Sequence, residues 1–244
     1  MKIRGIAHRG YPAKYAENTL TSFQAARDLG YSQLELDVHI SKDGVPVVMH
    51  DAAIHRMTNG KGLIKDYTVE QLKQFRIGET ETIPTLEEAL RLVKGHMIVN
   101  IDLKQTGDYY KGMEEAVYEV LRATGMVDQV YLMSLDHFSL IKMRKLSPDV
   151  ELGVSFIGSM PCVFPFMKEI RARYLAVKLC YMTDEYYRMI EEHGYELIAW
   201  PVNSEADMSL VVEKYPNALV TTNDLEKWMS FLEKRKQAEH SRIS

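Results

Sequence analysis

Glu35 and Asp37 stand two residues apart in the stretch QLELDVHISKDGVPVVMHD, residues 33–51. At strand period, Leu34, Leu36 and Val38 point one way while Glu35, Asp37 and His39 point the other. The two carboxylates are therefore neighbours on one face. Held that close they repel, and a folded site keeps them mainly when a cation sits between them. Lys42-Asp43-Gly44 is a short turn, and Val45, Val47 and Val48 read as a return strand. That hairpin carries His50 and Asp51 back toward the acids. An acid pair of metal-binding type beside an imidazole is equipped for proton transfer next to a cation.

Such groups need a scaffold. Strand patterns fall at residues 3–8, 33–39, 97–103, 130–133, 151–156, 174–179, 196–202 and 218–221. Helical patterns fall between them, over 17–29, from Thr85 onward, and over 110–123, 138–146, 163–171, 184–192, 206–214 and 225–236. Asn18 or Thr19 would cap the first helix, and Thr85 with Glu88 forms a capping box. Eight alternating units in a chain of this length predict a TIM (β/α)8 barrel, an α/β fold, spanning residues 1–236 as one domain. Residues 52–84 read as a small insertion after strand two, and 237–244 as a polar, frayed tail. A doubly wound open sheet is the runner-up. It usually carries a glycine-rich phosphate turn after strand one, whereas the turn here is His-Arg-Gly-Tyr-Pro.

In a barrel, catalytic residues gather at the C-terminal ends of strands. Those ends carry His8 and Arg9, Glu35 and Asp37, then Asn100, Asp102 and Lys104, followed by Lys178, Trp200 and Asn203, and Thr222 and Asn223. Each alone has a structural explanation: Arg9 could pair with Glu17, and Asp102 with Lys104. Together they are hard to explain as packing, because an unpaired buried charge costs several kcal/mol. His39 has no partner that the sequence reveals. The Asn59-Gly60-Lys61-Gly62 loop lacks the spacing of a phosphate-cradling P-loop.

Composition bounds the function. With 46% apolar and 26% charged residues over 244 positions, the chain can bury a large core. A net charge of -4 and a pI near 6.1 argue against nucleic acid as a partner, because phosphate backbones demand a basic face. No apolar run is long enough to span a bilayer, so stable membrane insertion is not expected. The start MKIRGIAHRG lacks the apolar segment of a secretory signal, which points to the cytoplasm. Cys162 and Cys180 fit no metal-ligand spacing and are expected to be buried, reduced thiols. Oligomeric state leaves no signal.

His8-Arg9-Gly10, Glu17-Asn18-Thr19, Glu35-Leu36-Asp37-Val38, His50-Asp51, the loop from Thr58 to Gly62, Ile83-Pro84-Thr85-Leu86 and Trp200-Pro201-Val202-Asn203 follow one another in a specific order. Together they resemble the glycerophosphodiester phosphodiesterases, from residue 3 to about Thr222. The resemblance implies a TIM barrel whose small-molecule substrate is a glycerophosphodiester, cleaved to sn-glycerol 3-phosphate and an alcohol. It implies one divalent cation, Mg²⁺ or Ca²⁺, held by Glu35, Asp37 and Asp102. His8 and His50 would then be the acid/base pair, Arg9 and Lys104 would hold the phosphate, and Trp200 and Asn203 would belong to the substrate pocket. Which histidine acts as base is left open. The chain departs from the family in having Asp102 where glutamate is usual, Pro201 where threonine commonly follows the tryptophan, and Ala16 where proline often stands. Two other readings compete. One is a lysophospholipid substrate, with an apolar rim near Met160, Phe164 and Phe166. The other is a barrel that binds phosphodiesters without turning them over.

Overall fold

A computed structural model describes the backbone of residues 5–243 and the side chains of residues 5–238. Its strands are β1 (Gly5–His8), β2 (Gln33–Ile40), β3 (Pro46–Val48), β4 (Ile98–Leu103), β5 (Val130–Met133), β6 (Glu151–Phe156), β7 (Tyr174–Lys178), β8 (Glu196–Trp200) and β9 (Leu219–Thr222). Among the described residues, β1, β2 and β4 to β9 are parallel, each bonded to the next, and β1 pairs with both β2 and β9. The ring therefore closes, which excludes the open doubly wound sheet. The helices are α1 (Leu20–Asp28), α2 (Val69–Leu72), α3 (Leu86–Val93), α4 (Met113–Thr124), α5 (His137–Leu146), α6 (Val163–Glu169), α7 (Asp184–Glu192), α8 (Glu205–Lys214) and α9 (Leu225–Ile243).

Strand alternation divides the core in two. Leu34, Leu36 and Val38 are fully buried in the main core with helix residues such as Phe23 and Leu90. Ile6, Tyr131, Met133, Tyr174, Ala176, Ile198 and Leu219 fill the barrel interior, where Tyr131 and Tyr174 stack with centroids 4.1 Å apart. This apolar plug forms the floor beneath the polar strand ends.

β3 pairs antiparallel with the projecting end of β2 in the register Val38↔Val48, His39↔Val47, Ile40↔Pro46. The excursion that follows contains two 3-10 turns, Ile54–Arg56 and Ile64–Asp66, and the one-turn α2. It has an apolar cluster of its own, in which Ile54, Ile64, Leu72, Ile77 and Ile83 pack under Val47 and Met49. Gly60 is required by close approach, since a Cβ there would overlap Phe75 and Ile54.

Element ends differ from the sequence expectation for local reasons. Ile3 and Arg4 lie outside the described residues, and β1 begins at Gly5. α1 starts at Leu20 because Thr19 is its N-cap, accepting the Ser22 N–H, while Asn18 is left-handed at φ 57°. β8 stops at Trp200, as Pro201 has no N–H to continue the ladder. α9 runs on to Ile243, past the expected stop at Lys236, because no Gly or Pro interrupts it. Cys162 and Cys180 are both free thiols, as expected, but they are exposed, on the segments after β6 and β7, and not buried. Among the described residues no helix is long and apolar enough to cross a membrane.

Candidate active site

The site begins with a strained turn at the end of β1. Arg9 is left-handed at φ 56° and Gly10 follows at φ 89°, where a side chain would strike Ser22. This turn aims the Arg9 N–H at β2, where it meets the Glu35 carbonyl at 2.9 Å and the Glu35 carboxylate at 3.0 Å. The Arg9 guanidinium lies 3.1 Å from Glu17 Oε1 and 3.3 Å from Asp37 Oδ2.

Glu35 and Asp37 face the barrel mouth from β2, and Asp102 stands beside Asp37 in the β2–β4 register. One oxygen from each of the three can be chosen so that all lie within 4.8 Å of one another. Asp37 is almost wholly enclosed, with Asn18 donating to its Oδ2 at 2.8 Å and Lys104 Nζ 2.7 Å from its Oδ1. Burial opposes its charge, but Lys104 and Arg9 outweigh burial and hold it below the usual carboxylate range. Burial pushes Glu35 well up, and the Asp37 charge adds to the rise. Burial also raises Asp102, against the opposing pull of Lys104.

Two imidazoles flank the acids. His8 Nδ1 is 2.6 Å from Asn223 Oδ1, an acceptor, so Nδ1 carries the proton. His8 Nε2 is then a free lone pair, 3.8 Å from Glu35 Oε2. Burial, with the Arg9 charge, brings His8 down to about 4 and keeps it neutral at pH 7. His50 arrives on the far end of the hairpin. Its Nδ1–H is held by Asp51 Oδ1 at 2.7 Å, leaving Nε2 open here too. His39 Nε2 donates to the His50 carbonyl at 3.0 Å, so His39 Nδ1 must accept from the Tyr110 hydroxyl at 2.9 Å.

These groups line one cavity of about 260 Å³. Its wall has two unlike halves. His8, Arg9, Glu35, Asp37, His50, Asn100, Asp102 and Lys104, from the β1–β4 side, make one half polar and charged. Met133, Leu135, Ile157, Ala176, Ile198 and Trp200, from β5 to β8, make the other half mostly apolar, broken by the hydroxyls of Ser155 and Thr221. Four buried polar atoms in this wall make no hydrogen bond within the protein: Asn100 Oδ1, Asp102 Oδ1, Trp200 Nε1 and Arg9 Nε, the last in ion-pair contact with Asp37 at 3.3 Å. Two are acceptors suited to a cation or a hydroxyl, and two are donors suited to an anion. All-oxygen donors around enclosed like charges fit a hard divalent ion, and the uncommitted Asp102 Oδ1 is a ready ligand.

Of the strand-end residues singled out from sequence, His8, Arg9, Glu35, Asp37, His50, Asn100, Asp102, Lys104 and Trp200 line this cavity; Lys178, Thr222 and Asn223 do not, and neither does Asn203. Its Oδ1 instead accepts from the Asn223 N–H at 2.9 Å, which steadies the partner of His8. Sequence reasoning left Asp51, His39 and Arg56 without roles and knew Asn18 only as a capping choice, yet each braces a residue in the cavity wall or its immediate support. Asp51 alone had a local signal, its adjacency to His50. Of the apolar rim expected at Met160, Phe164 and Phe166, no residue lines the cavity. Phe164 is buried and stacked on His193 and Tyr195, and Phe166 stacks on His137. The exposed apolar lip is Leu135 and Ile157, 55% and 64% accessible.

The sequence model of the glycerophosphoryl diester phosphodiesterase family matches residues 8–227. The chain belongs to that family. It is 31% identical over 231 residues to the glycerophosphodiester phosphodiesterase of Caldanaerobacter subterraneus subsp. tengcongensis, covering 91% of this chain and 94% of that one. It is 36% identical over 211 residues to the enzyme of that name from Bacillus altitudinis, covering 82% and 86%. Its fold superposes with a TM-score of 0.88 on an Oleispira antarctica phosphodiesterase solved in complex with the product sn-glycerol-3-phosphate. That match is 28% identical and covers 93% of this chain and 96% of the other. This family member is thus an enzyme, a phosphodiesterase on a TIM barrel.

Proposed function

We propose that this phosphodiesterase cleaves glycerophosphodiesters to sn-glycerol 3-phosphate and an alcohol, with a divalent cation and with His8 and His50 transferring protons. The observation that carries the reading is the convergence of Glu35, Asp37 and Asp102 beside two imidazoles whose Nε2 atoms are uncommitted. Three carboxylates facing Arg9 and Lys104 leave one negative charge. One dication turns that into one positive charge, matched to the single negative charge of a phosphodiester. Glu35, Asp37 and Asp102 would hold Mg²⁺ or Ca²⁺, and such an ion, when bound, neutralises charge on the phosphoryl oxygens.

The chain's own groups do the rest. Arg9 and Lys104 donate to the phosphoryl oxygens as charge builds on them. His8 accepts the proton of the attacking hydroxyl at Nε2, since burial keeps it neutral and Asn223 fixes its Nδ1–H. His50, about a third exposed and steadied by Asp51, enters the step as the imidazolium and delivers its Nε2 proton to the departing alcohol. In a glycerophosphodiester the neighbouring glycerol hydroxyl is the nearest nucleophile, and its attack closes a cyclic phosphate. Water then opens that ring with the two imidazoles in exchanged roles. The likeness to the Oleispira antarctica enzyme with its glycerol phosphate product supports this outcome.

The test is hydrolysis of glycerophosphocholine before and after exhaustive chelation. Turnover should vanish and return with Mg²⁺ or Ca²⁺; full turnover without any cation would refute the reading. A second reading, a lysophospholipid substrate, is favoured by the lip of Leu135 and Ile157, which continues the apolar half of the cavity outward. Relative turnover of lysophosphatidylcholine and glycerophosphocholine decides between them.

A further inference from the structure

Arg56 stands on the Ile54–Arg56 turn of the insertion, outside the cavity wall, with its side chain 42% exposed. Its Nη2 lies 2.6 Å from Glu17 Oε1 and its Nε 2.5 Å from Asp51 Oδ2. Glu17 Oε1 also takes the Arg9 guanidinium at 3.1 Å, and Asp51 Oδ1 holds His50 Nδ1 at 2.7 Å. An unbroken chain of alternating charge therefore runs from His50 through Asp51, Arg56 and Glu17 to Arg9. It joins the hairpin that carries one imidazole to the strained turn after β1.

We propose that Arg56 is a positioning residue that fixes His50 and Arg9 relative to each other by clamping Asp51 and Glu17. A carboxylate bonded to an imidazole alone can swing about its own side-chain torsions. A guanidinium taking its second oxygen sets the plane of that carboxylate, and with it the direction in which His50 Nε2 points. The same guanidinium, through Glu17, keeps the Arg9 side chain over the acids. A lysine offers one point of charge and cannot hold both acids in a fixed plane. The buried Ile54, two residues before it, anchors the turn in the insertion's apolar cluster. Exposed ion pairs add little to folding stability, so the clamp acts on turnover and not on the fold.

This inference rests on the roles proposed for His50 and Arg9, and its test separates the two. Arg56→Ala should lower kcat by roughly 10- to 100-fold, the usual span for a group that orients a reacting residue, with KM little changed. Methylguanidinium should restore part of that loss through the open surface around residue 56, and Arg56→Lys should fall between. Asp51→Asn should cost little more in the Arg56→Ala background, because both changes break one chain. Independently of turnover, the His50 Nδ1–H proton should give a resolved NMR signal in the native protein and broaden by exchange in Arg56→Ala or Arg56→Gln. A native-like signal and native kcat in those variants overturn the clamp. If the native protein leaves glycerophosphodiesters intact, the reaction reading fails alone, and the NMR comparison still decides the clamp.

Discussion

Lys104 Nζ lies 2.5 Å from Asp102 Oδ2, the shorter of the two ion pairs it makes with the acids at the barrel mouth. On the proposed ligand set a bound cation would draw on the same carboxylates as the lysine, and Lys104 would then be released toward a phosphoryl oxygen. Lys104→Met should lower kcat by about 10²- to 10³-fold, as for a lost charge-stabilising donor. Cation affinity should hold or rise, because a competitor for Asp37 and Asp102 has gone. Steady-state kinetics with calorimetric titration of Mg²⁺ and Ca²⁺ read both quantities; weaker cation binding would contradict the sharing.

The division of labour between the histidines is open to a leaving-group test. His8→Ala and His50→Ala should each cost about 10²- to 10⁴-fold in kcat on glycerophosphocholine. With a nitrophenyl glycerophosphodiester, whose leaving group needs no proton, His50→Ala should recover most of its loss and His8→Ala should not. The reverse pattern would exchange their roles.

Buried His39 supplies a pH dependence of stability. Burial lowers it from 6.5 to about 4, so the folded protein keeps it neutral where the unfolded chain protonates it. Its contribution is present above pH 6.5 and is lost as pH falls toward 4, amounting to about 3 kcal/mol. His8 acts in the same direction. Denaturant midpoints between pH 4 and 8 should therefore slope downward on the acid side, and His39→Gln should make that slope shallower. An unchanged slope would mean that folding leaves the His39 titration unshifted.

The lip at the mouth predicts a selective defect. Leu135→Ser and Ile157→Ser should each lower kcat/KM for lysophosphatidylcholine by about tenfold, in line with 1.5–3 kcal/mol for burying such a side chain. Glycerophosphocholine, with no chain to cover the lip, should be turned over as before. Equal losses on both substrates would show that the lip shapes the cavity and not its choice of alcohol.

The sequence disclosed what local rules encode. Period-two alternation placed Glu35 and Asp37 on one face of β2, and a tight turn brought His50 back, because both rules act within a few residues. The alternation of strand and helix patterns was enough for the closed barrel. What stayed hidden depends on contacts between distant segments. His8 meets Asn223 from 215 residues away, His39 meets Tyr110 from 71, and Arg56 meets Glu17 from 39. No local periodicity carries such pairings. Phe164 and Phe166 misled for a related reason: the pattern of α6 shows that one face is apolar, but not that this face turns inward and away from the mouth.

Every ionisable group in the cavity wall hangs from the first four strands and their loops, while β5 to β8 offer mostly hydrocarbon, with the Ser155 hydroxyl and an indole. Loops on that later side can lengthen, shorten or change character without disturbing any of the groups proposed to react. A lineage built on this frame can explore new alcohols while its bond-breaking apparatus stays untouched.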